Sequence, residues 1–222
     1  MNDPVQIIQI ISIWALPVLF AITLHEVAHG WMAWRLGDPT AMLMGRLSLN
    51  PIRHIDPIGT ILLPAGLVAI GSPFVFGWAK PVPVNFDGLK NPKRDSIWVS
   101  LAGPGANLGM ALFWVLVIWL GGHLPAGAAY FAEPMQLMGM AGITINLVLM
   151  VLNLIPIPPL DGGRVAAGLL PGPLSYQFSK LEPYGFIILI VLLFTGVLGT
   201  FMGPIVSSLR QLFFALGGAP ML

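Results

Sequence analysis

The chain has 222 residues, of which 56% are hydrophobic and only 9% are charged, with a formal net charge of +1. A soluble domain carries about 25% charged residues, so this composition indicates an integral membrane protein. The small net charge argues against a nucleic-acid-binding protein, since such proteins carry strongly basic surfaces. The chain has no cysteine, which excludes disulfides and thiolate ligands, so a bound metal would need His, Asp or Glu.

The first hydrophobic segment begins near Val5 and carries the motif His25-Glu26-Val27-Ala28-His29 in its C-terminal half. On a helix, histidines four residues apart lie on one face, where neutral imidazoles suit a tetrahedral zinc ion. The adjacent Glu26 can accept a proton from a water molecule that the metal activates. The alternative is a histidine pair hydrogen-bonded to backbone carbonyls in a packed bundle. Because ionisable groups are costly inside a bilayer, we favour a metal centre, which needs a third ligand.

The second apolar stretch covers residues 59–86 and is interrupted by several glycines and prolines, which is unfavourable for a straight spanning helix. Within it, Phe74–Phe86 has the pattern of two short extended pieces around a turn, which predicts a short β-hairpin. Irregular backbone is tolerated at membrane depth only against protein or a water-filled cavity. We therefore predict that residues 59–86 are re-entrant and leave the membrane on the side where they entered it.

Three later segments, residues 96–120, 135–154 and 184–201, are predicted to span the membrane. A Pro- and Gly-rich stretch follows the second of these and places Asp161 at the mouth of the helix. Residues 205–216 resemble an amphipathic helix on the membrane surface. The sequence therefore predicts one membrane-embedded domain over residues 1–222, an all-α bundle of about four spanning helices with a re-entrant segment.

The distribution of basic residues supports this topology. With four crossings, nine basic residues fall on one side and only Arg210 falls on the other. The positive-inside rule makes the basic side cytoplasmic. The same arrangement brings His25, His29 and Asp161 to the cytoplasmic end, where they can converge on one ion. The nine residues are Arg35, Arg46, Arg53, Lys80, Lys90, Lys93, Arg94, Arg164 and Lys180.

The motif at His25–His29, followed far downstream by Asn153–Gly162, is similar to the site-2 protease family of intramembrane zinc metallopeptidases. The segment Gly103–Asn107 also matches a small-residue helix segment common in that family, so the resemblance covers most of the chain. Many members carry sensory or PDZ-type modules, which this sequence lacks. Its compact form therefore resembles the small prokaryotic members.

The resemblance implies one zinc ion per chain, held by His25, His29 and Asp161. It also implies Glu26 as the general base and Asn153 as a group that contacts the substrate or the developing oxyanion. The predicted hairpin would correspond to the family's re-entrant β-hairpin, which is thought to hold an unwound substrate. The substrates would be transmembrane proteins or peptides, cut in regulated intramembrane proteolysis or in clearance of signal-peptide remnants. The location would be a prokaryotic inner membrane with the active site toward the cytoplasm.

Two other functions remain open from the residues alone. A metal-binding membrane transporter would place its ligands near the bilayer midplane, would have internal symmetry and would leave Glu26 without a role. A non-proteolytic zinc-binding scaffold would keep its metal but show no activity that depends on Glu26. The expected partners are a transmembrane substrate and the lipid bilayer, with no nucleic acid, and the oligomeric state is open. In a protease, Asn107, Asn146 and Asn153 are candidates to line a route for water.

Overall fold

The structure of the protein is a computed structural model that describes residues 4–69 and 77–219. Within these ranges the regular structure is entirely helical. Short 3₁₀ turns at Pro51–His54, Phe86–Gly88 and Ala126–Phe131, and a π-helical turn at Pro57–Leu62, lie between the α-helices. The α-helices are α1 (Pro4–Arg35), α2 (Thr40–Leu43), α3 (Leu63–Ala69), α4 (Pro92–Gly122), α5 (Ala132–Asn153), α6 (Asp161–Leu169), α7 (Gly172–Ser179), α8 (Glu182–Phe194) and α9 (Val197–Gly217).

Four helical segments of the described residues are long and apolar enough to cross a membrane: Ile8–Arg35, Pro92–Gly122, Ala126–Asn153 and Val197–Gly217. The bent pair of α7 and α8 would be a fifth if it crosses as one broken span, so the described residues have four or five candidate spans against a predicted number of about four. The span predicted over 184–201 is not a single helix. Helix α8 ends at Phe194, and α9 begins at Val197 after Gly196 adopts a φ of 74°. Residues 205–216 are therefore the C-terminal part of a longer helix. Helices α7 and α8 form a pair bent by 62°.

The core of the bundle lies where α4, α5 and α9 pack together. Two glycines of α5 allow close approach of α4, since a Cβ at Gly139 would clash with Ile118 and one at Gly142 would clash with Trp114. Small residues at such contacts are typical of helix packing in membranes. The buried side chains of this cluster are Ala111, Trp114, Ile118, Ile143, Leu147, Phe213, Phe214 and Ala219.

The short β-hairpin predicted for Phe74–Phe86 is wrong. Residues 74–76 of that range lie outside the described part of the chain, and the described residues 77–85 form no strand. Pro81 and Pro83 have no backbone N–H, so this stretch cannot donate a continuous series of hydrogen bonds to a neighbouring strand. It is instead an irregular stretch, called the 77–85 segment below.

The backbone of the 77–85 segment is hydrogen-bonded to the chain that precedes α3. The N–H of Trp78 donates to the carbonyl of Gly59 over 3.1 Å, and the hydroxyl of Thr60 donates to the carbonyl of Trp78 over 2.8 Å. The N–H of Lys80 donates to the carbonyl of His54 over 3.0 Å. The chain thus returns at residues 78–80 to the point that it left at residues 54–60. Its position relative to a bilayer stays a prediction.

Candidate metal centre

The structure brings together the three residues predicted as metal ligands. His25 and His29 lie one turn apart on α1, and Asp161 is the first residue of α6. The Nε2 atoms of the two histidine rings are 3.0 Å apart, and each lies 3.3 Å from Oδ2 of Asp161. A tetrahedral ion with bonds of about 2.0–2.1 Å keeps its ligand atoms about 3.3 Å apart. Within the described residues, this is the one group of His, Asp and Glu side chains that can hold a metal ion.

The hydrogen bonds of the two rings leave their Nε2 atoms available as ligands. Nδ1 of His25 lies 2.7 Å from Oδ1 of Asn107, and Nδ1 of His29 lies 2.7 Å from the carbonyl of Val99. Both partners are acceptors, so each Nδ1 carries the proton and each Nε2 of a neutral ring carries a lone pair. Oδ2 of Asp161 is buried without a well-aligned hydrogen-bond donor. These converging lone pairs repel one another unless a cation lies between them, and the nitrogen and oxygen donors fit zinc.

The side chain of Asn107 is itself held in one orientation. It is fully buried, and its Nδ2 donates to the carbonyl of Ala21 over 3.2 Å and to Oδ1 of Asn146 over 2.9 Å. Asn146 is also fully buried and donates to the carbonyl of Gly142 over 2.8 Å. This network turns Oδ1 of Asn107 toward His25. Asn107 and Asn146 therefore do not line a route for water, in contrast to the expectation from the sequence.

Helix α4 supports both histidine rings through residues spaced four apart. Val99 accepts from His29, Asn107 accepts from His25, and Gly103 lies between them on the same face of α4. A Cβ at Gly103 would clash with both imidazole rings, so α4 can approach α1 this closely only with glycine there. The sequence identified Gly103–Asn107 as a small-residue segment and Asn107 as a candidate to line a route for water, but it did not predict that this segment contacts the two histidines. The four-residue spacing, which matches that of the two histidines, is the signal that could have found it.

Asp161 is fixed by close packing of the first turn of α6. A Cβ at Gly162 would clash with the carbonyl of Leu154, and one at Gly163 would meet the backbone of Ile157 and Pro158. Only glycines allow this turn to lie directly against the chain that follows α5. The carboxylate is thereby held beside α1.

Glu26 lies next to the metal ligands and is held by the 77–85 segment. Its Oε2 accepts a hydrogen bond of 2.7 Å from the N–H of Val82. The flanking residues Pro81 and Pro83 have no N–H, so Val82 supplies the only backbone donor of residues 81–83. Arg46 donates to the carbonyl of Lys80 over 2.9 Å and ties the segment to the loop after α2. The N–H of Val82 thus holds one of the two carboxylate oxygens of Glu26.

Asn153 lies at the site, but its side-chain amide is hydrogen-bonded within its own helix and not to the three candidate ligands. Its Nδ2 donates to the carbonyl of Leu149 over 3.0 Å, within α5. It lines a polar cavity of about 390 Å³ together with Glu26, the three candidate ligands, Ser100 and Arg164. A contact between Asn153 and a substrate stays a prediction.

Comparison with known proteins supports the chemistry of this centre. A family model described as Peptidase family M50 matches residues 122–195, which include all of α5 and Asp161. YwhC of Bacillus subtilis (strain 168), a candidate zinc metalloprotease, is 39% identical over 196 residues, which cover 87% of this chain and 85% of YwhC.

Two Rip2 proteins, also candidate zinc metalloproteases, are similar as well. Rip2 of Mycolicibacterium smegmatis is 33% identical over 81% of this chain and 66% of its own length. Rip2 of Mycobacterium tuberculosis strain H37Rv is 30% identical over 84% of this chain and 69% of its own length. No solved structure gives a significant match. Because the similarity to YwhC extends over most of both chains, this chain belongs to peptidase family M50, the site-2 protease family.

Proposed function

We propose that this chain hydrolyses peptide bonds of membrane-embedded substrates with a zinc ion held by His25, His29 and Asp161 and with Glu26 as general base. Its family and its four apolar helices make it a membrane-embedded protease. The observation that carries the proposal is that the ligand atoms of His25, His29 and Asp161 lie 3.0–3.3 Å from one another. The carboxylate of Glu26 lines the same cavity and is not one of these three ligands.

The residues of the site support a hydrolytic mechanism. When bound, zinc supplies Lewis acidity that polarises a peptide carbonyl and activates water. Glu26 accepts the proton of the attacking water and returns it to the leaving amine. The hydrogen bond from Val82 orients this carboxylate, and the amide of Asn153, which lines the same cavity, can bind the substrate.

Membership in a peptidase family favours hydrolysis over metal transport, because a transporter would give Glu26 no part in its function. The distribution of basic residues supports a site that opens toward the cytoplasm of a prokaryotic cell, with the chain in the inner membrane. The substrates would be transmembrane proteins or peptides. A helical substrate must unwind at the site, because its carbonyls are occupied by its own hydrogen bonds.

The proposal is tested by measuring zinc content and cleavage of a transmembrane test substrate by the purified protein. The substitution Glu26→Gln keeps an acceptor for the N–H of Val82 but removes the base. We expect this variant to retain one zinc ion per chain and to lose cleavage by at least about a hundredfold. The double substitution His25→Ala and Asp161→Ala should lose the zinc.

Comparable turnover by wild type and Glu26→Gln would show that the base is assigned wrongly. Zinc that is undiminished in the double variant would rule out the proposed ligands. A zinc-loaded wild type without proteolytic activity would instead favour the non-proteolytic scaffold.

A further inference from the structure

A second cavity adjoins the candidate centre and has a different lining. Its volume is about 430 Å³, and it shares His25, Glu26, Asn153 and Pro159 with the polar cavity. The polar cavity continues from there to Ser100 and Arg164. The other described residues of the second cavity are all apolar. Its principal lining side chains are Ile22, Trp78, Leu149, Leu152, Phe186 and Leu189.

The two cavities meet where a peptide bond must lie to be cut. Because His25 and Glu26 border both spaces, a chain whose carbonyl reaches this point extends into the polar cavity on one side and into the apolar cavity on the other. An extended chain advances about 3.3–3.6 Å per residue, so the side chain directly beside the scissile bond reaches the apolar cavity.

We infer that the apolar cavity is a substrate subsite for a large apolar side chain, such as leucine, phenylalanine or methionine, next to the scissile bond. This inference rests on the proposed proteolytic function. A polar side chain in this space would lose its hydrogen bonds to water, and away from the junction with the metal centre the described lining has no polar side chain except the indole of Trp78. A small side chain would leave the cavity unfilled and lose packing contacts.

The basis of this selectivity differs from that of a water-soluble protease. An apolar side chain that arrives from lipid gains little free energy of transfer, since lipid tails are themselves apolar. The preference must therefore come from packing against the cavity walls and from exclusion of polar groups. Trp78 and Phe186 provide rigid walls, with their rings edge to face at a centroid distance of 6.0 Å.

Leu149 offers the best position for changing the size of the subsite. It lines the cavity from α5 and belongs to none of the three buried hydrophobic clusters of the described residues. The substitution Leu149→Trp would fill the space, and Leu149→Ala would enlarge it. A matched control is Leu16→Trp, because Leu16 lines another apolar groove, of about 420 Å³, which none of the candidate ligands border.

The experiment uses the full-length protein and a transmembrane substrate whose cleavage site is mapped by mass spectrometry. The residue on each side of the scissile bond is replaced in turn by Ala, Leu, Phe and Asp, and kcat/KM is measured. At one of the two positions we expect wild type and Leu16→Trp to prefer Leu or Phe over Ala by at least about tenfold and to reject Asp. Leu149→Trp should lose the preference for large side chains, and Leu149→Ala should shift it toward Phe, with zinc content unchanged in both.

Binding of the same substrates to the Glu26→Gln variant provides a second readout that does not depend on turnover. We expect Kd to follow the same order of side chains, and Leu149→Trp in that background to abolish the order. A wild type indifferent to both positions, or a preference unchanged in Leu149→Trp and Leu149→Ala, would overturn the subsite and leave the proposed function intact. Failure of the zinc-loaded wild type to cleave any substrate of the series would contradict the proposed function itself.

Discussion

At the scale of single residues, the candidate metal centre requires glycine at position 103, where a side chain would clash with the histidine rings. Gly103 of α4 lies directly against the rings of His25 and His29, and a Cβ there would clash with both. Overpacking of such a contact costs about 1–3 kcal/mol and moves the groups that it touches. We therefore expect Gly103→Ala to lower zinc content and to reduce cleavage at least about tenfold. Both quantities can be measured on the purified variant.

The matched control for this prediction is Gly105→Ala, two residues along the same helix. A Cβ at Gly105 meets nothing within 4 Å, and alanine is the better helix former by about 1 kcal/mol. This control should keep zinc and activity, with unchanged or higher thermal stability. Equal zinc content and equal cleavage in the two variants would mean that the contact at Gly103 does not shape the centre.

Asn107 is a positioning residue, since it acts on the metal site through the ring of His25. The substitution Asn107→Ala leaves Nδ1 of His25 without its acceptor, so the ring loses the hydrogen bond that sets its tautomer and orientation. Loss of such a partner typically weakens metal binding by about 10–100-fold. We expect a rise in zinc Kd of that size, measured by competition with a chelator. Asn146→Ala removes only the support behind Asn107 and should have a smaller effect. A zinc Kd in Asn107→Ala equal to that of wild type would contradict this role.

At the scale of elements, the 77–85 segment is expected to position the catalytic base. The substitution Val82→Pro removes the N–H that donates to Glu26 over 2.7 Å. A hydrogen bond to a charged group contributes about 1.5–3 kcal/mol, which corresponds to roughly a tenfold to a hundredfold change in rate. We expect kcat to fall by about that factor while zinc content stays constant. Val82→Ala shortens the side chain but keeps the N–H, so it should retain most of the activity. Equal kcat in the two variants would show that the hydrogen bond is dispensable.

The sequence could predict the elements that have one dominant signal. Long apolar segments in the sequence identified α1, α4 and α5. Helix α4 continues through Pro104, which does not end it. The break between α8 and α9 was missed because a single residue, Gly196, makes it within an apolar run. The hairpin was wrongly predicted because an extended pattern does not reveal where its N–H groups donate. Here they bind the chain before α3 and the side chain of Glu26.

The sequence could predict those residues of the candidate site that have ionisable side chains. His25, His29 and Asp161 carry metal-ligand chemistry in their side chains, and helical spacing brings the first two together. Gly103 and Asn107 act by shape and by orientation, and the sequence marks them only by their four-residue spacing along α4. That spacing does not show that this face of α4 packs on α1, which is what gives the two residues their roles.

At the scale of the whole molecule, the convergence of the ligands requires that both ends of residues 59–86 lie on one side of the membrane. The hydrogen bond from the N–H of Trp78 to the carbonyl of Gly59 supports this topology, because it brings the returning chain back beside the start of the segment. The chain has no native cysteine, so single cysteines can report the side of each loop. Two suitable exposed positions flank the segment, Leu49 before it and Asp87 after it. A third, Tyr130, is 86% exposed between α4 and α5.

We expect membrane-impermeant thiol reagents to label Leu49→Cys and Asp87→Cys from the same face and Tyr130→Cys from the opposite face. Leu49→Cys and Asp87→Cys are labelled from the same face only if residues 59–86 are re-entrant, and Tyr130→Cys is labelled from the other face only if α4 crosses the membrane. Tyr130→Cys thereby serves as the control that the reagent distinguishes the two faces. Labelling of Leu49→Cys and Asp87→Cys from opposite faces would mean that residues 59–86 cross the membrane. Asp161 would then be separated from His25 and His29 by the bilayer, and the proposed zinc site could not form.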